Sequence, residues 1–360
     1  MKIVFGLGHP AHFHLYKHIM QTLQQRHNVE IYFSDKDILR KLLATTDLPY
    51  TSIAQPKINE TILSKASKLI FSTKMLYHKL KDNKPDLFVG CLSQLSWVSH
   101  MLGTKSIFNA EDDITYTFLQ AFITYPFVDT ILTSQVVKTG PFSYKQIGYA
   151  GYHKLAYLHP NWFTPDEAIK KKYIHDSHYY LIRTVCQNAY HDVNAKGMDL
   201  ITLKKTVAFL KNYGAVYISS EKKLPSEMQK YALSISEKDI HHILYYSDML
   251  IGDSQSMTVE SAMLGTPSIR LNNFANKISI LNELEHKYGL TYSISPKQKD
   301  NLIPLIEKIK SINKEEFRTR RFALLKDKID VSAFLIWFIE NYPKSIIEFK
   351  KNPSIQYQFR

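Results

Sequence analysis

Only two cysteines occur in the 360 residues, Cys91 and Cys186, far apart and without a Cys-x-x-Cys neighbour. Both sit beside apolar runs, so buried, reduced thiols are expected, which argues against an oxidising compartment and fits the cytoplasm. No stretch approaches the roughly 20 apolar residues needed to cross a bilayer. The opening run Met1–Gly6 is not followed by an apolar segment of signal-peptide length. A long Lys/Arg block, an Arg-rich arm, a recognition helix and a zinc-finger pattern are all missing, so nucleic acid is not an expected partner. Solenoid repeats and low-complexity tracts are absent too. The chain has no Gly-Lys-[Ser/Thr] phosphate loop, and Gly6-x-Gly8 lacks the third glycine of a dinucleotide fingerprint.

What is present is a well-mixed chain, 44% hydrophobic, 12% aromatic and 22% charged. That composition makes substantial cores, and the length suits two domains of about 150 residues. The net charge of +13 points to an anionic partner. It is spread: 17 basic against 11 acidic residues over 1–160, 19 against 16 over 161–310, and 10 against 6 over 311–360.

Short apolar runs alternate with helical patterns over the first 150 residues, the signature of a parallel sheet covered by helices. Strands are expected at Lys2–Gly6, Val29–Phe33, Tyr50–Ile53, Leu87–Val89, Ser106–Asn109 and Thr130–Thr133. Leu15, Ile19, Met20 and Leu23 mark a helix between the first two, and 58–81 reads as an amphipathic helix or pair. From about Gly148 the texture turns to aromatics, Gly and Pro, an expected crossing between domains. A second series follows. Its strands fall at Tyr179–Arg183, Val216–Ser219, Met249–Gly252 and Ser268–Leu271, with helices at 200–212, 227–231, 239–246 and 258–264. Residues 315–342 read as a packing helix. The expected organisation is two Rossmann-like βα domains, 1–155 and 165–312, facing across a cleft, with C-terminal helices at 313–360 packing back on them.

Four constellations carry chemistry. Strand 249–252 ends in Asp253-Ser254-Gln255-Ser256-Met257, a small polar turn that opens a helix, and a helix start offers unpaired N–H groups to a phosphate. Ser254 and Ser256 add hydroxyls, Asp253 and Met257 belong to the same nucleotide-binding turn, and Glu260 is spaced to accept from ribose hydroxyls. Plain N-capping by Asp253 or Ser254 is the competing reading. Second, Gly8-His9-Pro10-Ala11-His12-Phe13-His14 follows the first strand, where open α/β sheets place ligands. His12 is the candidate general base; His9 and His14 are candidate acceptor contacts, and a metal reading lacks partners at i, i+4 spacing. Third, Glu111-Asp112-Asp113 crowds three carboxylates after the fifth strand. Glu111 and Asp113 are candidates for acid/base work and Asp112 for acceptor binding, against a solvated acidic turn. Fourth, Arg183 ends the first strand of the second domain, where it suits a diphosphate clamp or a local salt bridge. Residues 188–192 follow it. His241 and His242 are expected to be surface or packing residues.

Together these stretches resemble a family of bacterial and archaeal proteins of unknown function regarded as glycosyltransferases of the GT-B fold. Gly8–His14, Tyr157-Leu158-His159-Pro160, Ile240–Asp248 running into Gly252-Asp253-Ser254, Glu260–Pro267 and Leu284–Leu290 carry the likeness. The wider superfamily includes non-hydrolysing UDP-N-acetylglucosamine 2-epimerases, from which this chain departs by Gln255-Ser256 in place of a Gly-Gly pair and by lacking an arginine-containing first loop. The resemblance implies glycosyl transfer from a nucleotide-diphosphate sugar, UDP-sugar favoured, without metal or other cofactor. The acceptor would be a saccharide or lipid-linked saccharide of the cell envelope. Donor binding falls to the C-terminal domain and acceptor binding to the N-terminal one, with His12 as the matching base. An epimerase and a non-catalytic sugar-nucleotide binder are the alternatives. A cytoplasmic location is implied, with peripheral contact at the inner membrane face left open.

Overall fold

The computed structural model describes residues 1–35, 37–53, 62–185, 197–221 and 223–360. Cys186 and residues 188–192 lie outside them. The chain divides into two compact units, Met1–Tyr157 with Lys328–Arg360, and Leu158–Asp327. Residues 313–360 are thereby shared between the two.

The first unit begins β1(Lys2–Leu7), α1(Pro10–Gln24), β2(Asn28–Ser34), α2(Asp37–Leu43), β3(Tyr50–Ile53) and α3(Ile62–Leu80). It continues β4(Leu87–Gly90), α4(Ser93–Leu102), β5(Lys105–Asn109), α5(Phe118–Thr124), β6(Thr130–Ser134) and β7(Gln146–Tyr149). The seven strands form one sheet in the order β3-β2-β1-β4-β5-β6-β7, every neighbouring pair parallel. A parallel sheet is covered on both faces, which is why its strands read as nearly unbroken apolar runs. On α1, Phe13, Tyr16, Met20 and Leu23 recur at helical spacing and are buried. Val4, Phe88, Leu95, Val98 and Leu102 join Leu76 and Leu80 of α3 in one core cluster. Each fully buried side chain of this kind stabilises the fold by about 1.5 to 3 kcal/mol relative to exposure.

After α6(Leu155–Leu158) and α7(Glu167–Lys171), the second unit runs β8(Tyr179–Thr184), α8(Leu200–Leu210), β9(Ala215–Ser220), α9(Ile240–Tyr246), β10(Met249–Gly252) and α10(Gln255–Leu264). Then come β11(Ser268–Leu271), α11(Ser279–His286), β12(Thr291–Ile294), α12(Leu302–Lys310) and α13(Lys314–Asp327). The sheet order is β12-β11-β10-β8-β9, again parallel. The chain closes with α14(Val331–Glu340) and α15(Lys344–Lys351). The single helix expected over 315–342 is therefore two. The break falls at Asp330, whose Oδ1 accepts from the Ala333 N–H at 3.0 Å and caps α14.

Strand order reverses between β1 and β4 in the first sheet and between β10 and β8 in the second, the positions where open α/β sheets leave a crevice at their carboxyl ends. Glycine sits at both. A Cβ on Gly90 would lie 2.5 Å from the Gly6 carbonyl oxygen, and one on Gly252 would lie 2.0 Å from that of Arg183. The backbones of the central strands thus approach too closely for any side chain where the ligand-facing loops depart.

Candidate functional site

In the first unit the loop after β1 turns directly into α1. His9 caps that helix, its Nδ1 accepting from the Ala11 N–H at 3.1 Å, and Pro10 takes the first helical position, where no N–H is needed. One turn on, His12 folds back so that its Nδ1 accepts from the Gly8 N–H at 3.0 Å. With that lone pair engaged, the neutral ring carries its proton on Nε2. Burial, reinforced by His9 and His153, pushes the imidazole down to about 3, so it is neutral across the physiological range. In this orientation His12 presents a donor, not the proton acceptor expected of a general base.

Facing it, Glu111 follows β5 and meets two residues of the 150–157 stretch. Lys154 Nζ lies 2.9 Å from Oε1 and 3.0 Å from Oε2, and His153 Nδ1 lies 3.8 Å from Oε2. Burial alone would raise the Glu111 carboxyl, but Lys154 and His153 outweigh it and hold the group well below the usual carboxylate range. Glu111 is thus an anion, with little tendency to take a proton. Asp113 turns away. It is buried, its Oδ1 accepts from the Lys138 N–H at 2.9 Å, and its role is to fix the loop rather than to do acid/base work.

Two adjoining pockets open at this end of the sheet. One, of about 110 Å³, is lined by His12, Asn109, Glu111, Asp112, Thr117 and His153 among others. The second, of about 420 Å³, is lined by Gly8, Ser34, Lys68, Ser93 and Gln94. Both share His12, Cys91 and Gln120. Cys91 is buried, its thiol pushed up to about 12 by burial, so it is a wall and not a nucleophile. Of the expected acceptor contacts, Asp112 lines the pocket. His9 is spent on its cap, and His14 packs on Tyr157 with ring centroids 5.3 Å apart; neither is among the lining residues.

His153 and Lys154 carry this site, although in the sequence they read only as part of a crossing. The available signal was a lysine, here 2% exposed, inside the apolar run Tyr152–Tyr157. A buried ammonium requires an anion within reach, and Glu111 after β5 supplies it.

In the second unit, α10 starts at the end of β10. Ser254 is its N-cap, the Oγ accepting from the Met257 N–H at 3.3 Å, so this hydroxyl is used for capping. Ser256 is exposed in the first turn, and Met257 is buried behind it. Asp253 is buried and its Oδ1 accepts from the Val185 N–H at 2.8 Å, joining the ends of β10 and β8. Burial pushes its carboxyl up to about 6 against that hydrogen bond. Arg183 is not an open clamp. Its Nη1 donates to Ser219 Oγ at 2.8 Å and its Nη2 to Glu221 at 2.7 Å, the local salt bridge that was the competing expectation. Glu260 is buried with its Oε2 3.5 Å from His241 Nε2. His241, expected as a surface or packing residue, is buried against Phe163 and lies beside the carboxylate expected at the ribose. Among the described residues no three His, Cys, Asp or Glu side chains gather as a metal centre would, and no helix is long and apolar enough to cross a membrane.

Two parallel βα units of this kind define an α/β fold of the GT-B type, and solved structures of that type share it. A UDP-GlcNAc 2-epimerase from Neisseria meningitidis, solved with UDP-GlcNAc bound, is similar at 13% identity and TM-score 0.70, over 95% of this chain and 100% of that one. The UDP-GlcNAc 2-epimerase from Methanocaldococcus jannaschii is similar at 13% identity and TM-score 0.65, over 90% and 99%. Spinosyn rhamnosyltransferase, solved with spinosyn aglycone, is similar at 13% identity and TM-score 0.61, over 94% and 100%. No curated protein sequence matches. The chain belongs to the protein family of unknown function DUF354, whose model matches residues 1–280.

Proposed function

We propose that this protein is a glycosyltransferase that moves a sugar from a nucleotide-diphosphate donor to a saccharide or lipid-linked saccharide acceptor of the cell envelope, without a metal cofactor. The observation that carries the reading is the polar pocket at the carboxyl end of the first sheet, where a neutral imidazole faces a fixed carboxylate on a GT-B fold. A neutral donor beside a fixed carboxylate acceptor in a small pocket suits sugar hydroxyls.

The donor belongs to the second unit. Ser256 and the N-terminal N–H groups of α10 face the diphosphate, and Glu260, beside His241, accepts from the ribose. The same helix end stabilises the charge on the departing diphosphate. UDP is the favoured nucleotide, supported by UDP-GlcNAc in the Neisseria structure. The acceptor belongs to the first unit. There His12 donates from Nε2 to the acceptor oxygen, Glu111 fixes a neighbouring hydroxyl, and Asp112, which lines the same pocket, takes the proton as the acceptor oxygen attacks the anomeric carbon.

A thermal-shift panel of UDP-, GDP-, CMP- and dTDP-sugars tests the donor, with UDP-sugars expected to raise Tm most. No response to any of them would sink the proposal. Asp112→Asn is expected to keep the UDP-sugar shift and lose transfer. The likeness to 2-epimerases keeps one further reading open: solvent deuterium appearing at the sugar C2 with no acceptor present would favour epimerisation.

A further inference from the structure

The helices α3 and α5 flank α4 on one face of the first sheet, and both reach the larger pocket, α3 through Lys68 and Leu69 and α5 through Gln120. Within one turn of those lining residues both helices expose large apolar side chains. Ile70 and Phe71 are 61% and 50% exposed, and Phe118, Leu119 and Phe122 are 61%, 51% and 42% exposed. Three of the four exposed phenylalanines among the described residues lie here, the fourth being Phe322. Phe118 and Phe122 pack at 4.3 Å with their planes tilted by 36°, and Phe122 meets the buried Phe142 edge-on at 5.3 Å, so the exposed pair is anchored to the core at one ring.

The charge of this face is one-sided. Helix α3 carries four lysines and no carboxylate over 19 residues, and residues 118–128 carry no charge. On α3 the exposed stripe runs Ser67, Ile70, Phe71, Lys74, apolar and basic side by side. Basic residues beside projecting aromatics are the composition of a helix lying in the headgroup layer of an anionic bilayer. A second copy of this chain fits less well, because two copies of the face would bring Lys74 of each onto a surface with no carboxylate on α3 or over 118–128 to pair it.

We propose that the first unit docks on an anionic lipid surface through α3 and α5, inserting Ile70, Phe71, Phe118, Leu119 and Phe122, with the mouth of the larger pocket at the bilayer. Among the acceptors named above this selects the lipid-linked ones, a step that rests on the acceptor reading of the pocket. The docking itself rests only on the surface.

The full chain is tested by flotation with vesicles of phosphatidylcholine alone and of phosphatidylcholine and phosphatidylglycerol in equal parts. Binding is expected only to the anionic vesicles, weakened by salt and by Lys74→Glu. The triple change Phe71→Ser, Phe118→Ser, Phe122→Ser is expected to lower the partition coefficient by roughly tenfold or more. Failure of the wild type to float with anionic vesicles, or equal binding by the triple variant, overturns the proposal. So does a dimer that the triple variant dissolves while the wild type ignores vesicles, which would assign the face to a second copy. The far-UV circular dichroism and unliganded thermal midpoint report whether each variant is folded, and the UDP-sugar thermal shift is read in parallel. Its absence from a wild type that still floats would count against the donor reading and not against docking.

Discussion

The ammonium of Lys154 lies within 3.0 Å of both carboxylate oxygens of Glu111 while only 2% of the lysine is exposed. A cation so placed is stable only because the anion is there, and the two are interdependent in a way that surface pairs are not. Lys154→Met leaves Glu111 with His153 alone and is expected to cost about 3 kcal/mol in urea unfolding. Combining it with Glu111→Gln is expected to recover much of that loss, because no buried charge then stands alone. Additive single effects in the double-mutant cycle would show that the pair is not coupled.

His12 makes the sharpest pH statement. Its folded value, about 3, lies below the ordinary histidine value, so the fold prefers the neutral ring. The stability it contributes is complete above the unfolded value near 6.5 and is lost as pH falls toward 3. Ring nitrogen NMR is expected to show an Nε2-protonated imidazole that does not titrate between pH 8 and 5. A midpoint near 6.5 would mean that the Gly8 hydrogen bond does not hold in solution.

Asp253 has the opposite sign. Its folded value, about 6, lies above that of an unfolded aspartate, so its contribution is complete below the ordinary carboxylate value and is lost as pH rises through 6. Asp253→Asn keeps an acceptor for the Val185 N–H without the charge. It is expected to be more stable than the wild type by about 1 to 2 kcal/mol at pH 8, with the difference vanishing near pH 4. Equal thermal midpoints at pH 8 would show that the carboxylate is better solvated than its burial indicates.

The strands at Tyr50–Ile53, Met249–Gly252 and Ser268–Leu271 match their sequence expectation residue for residue; the last two are fully buried parallel strands, the first an edge strand with only Ile53 buried. Two strands gave no such signal. β7 contains Gln146 and Gly148, and β12 reads Thr-Tyr-Ser-Ile, so neither reads as an apolar run. Helix α4 is hidden for a related reason, since Ser93, Ser96 and Ser99 occupy buried positions where a periodicity argument looks for apolar residues. The histidine cluster, the three carboxylates and the α10 turn were all legible as constellations. Their division of labour was not, because it depends on tertiary partners. Lys154 is 43 residues from Glu111, Lys138 is 25 from Asp113, and Glu221 is 38 from Arg183. Local spacing says which groups are available and is silent on which of them a distant backbone N–H or cation will claim.

The first unit is discontinuous: Phe334, Leu335 and Phe338 of α14 are fully buried in a unit whose other members end at Tyr157. α14 lies against α1, so a helix from the first two dozen residues awaits one from the last three dozen. During synthesis the second unit can close on itself as soon as Asp327 emerges, whereas the first waits with one flank of α1 bare. The unit translated first is then the one completed last, and its folding is coupled to the arrival of the final helices.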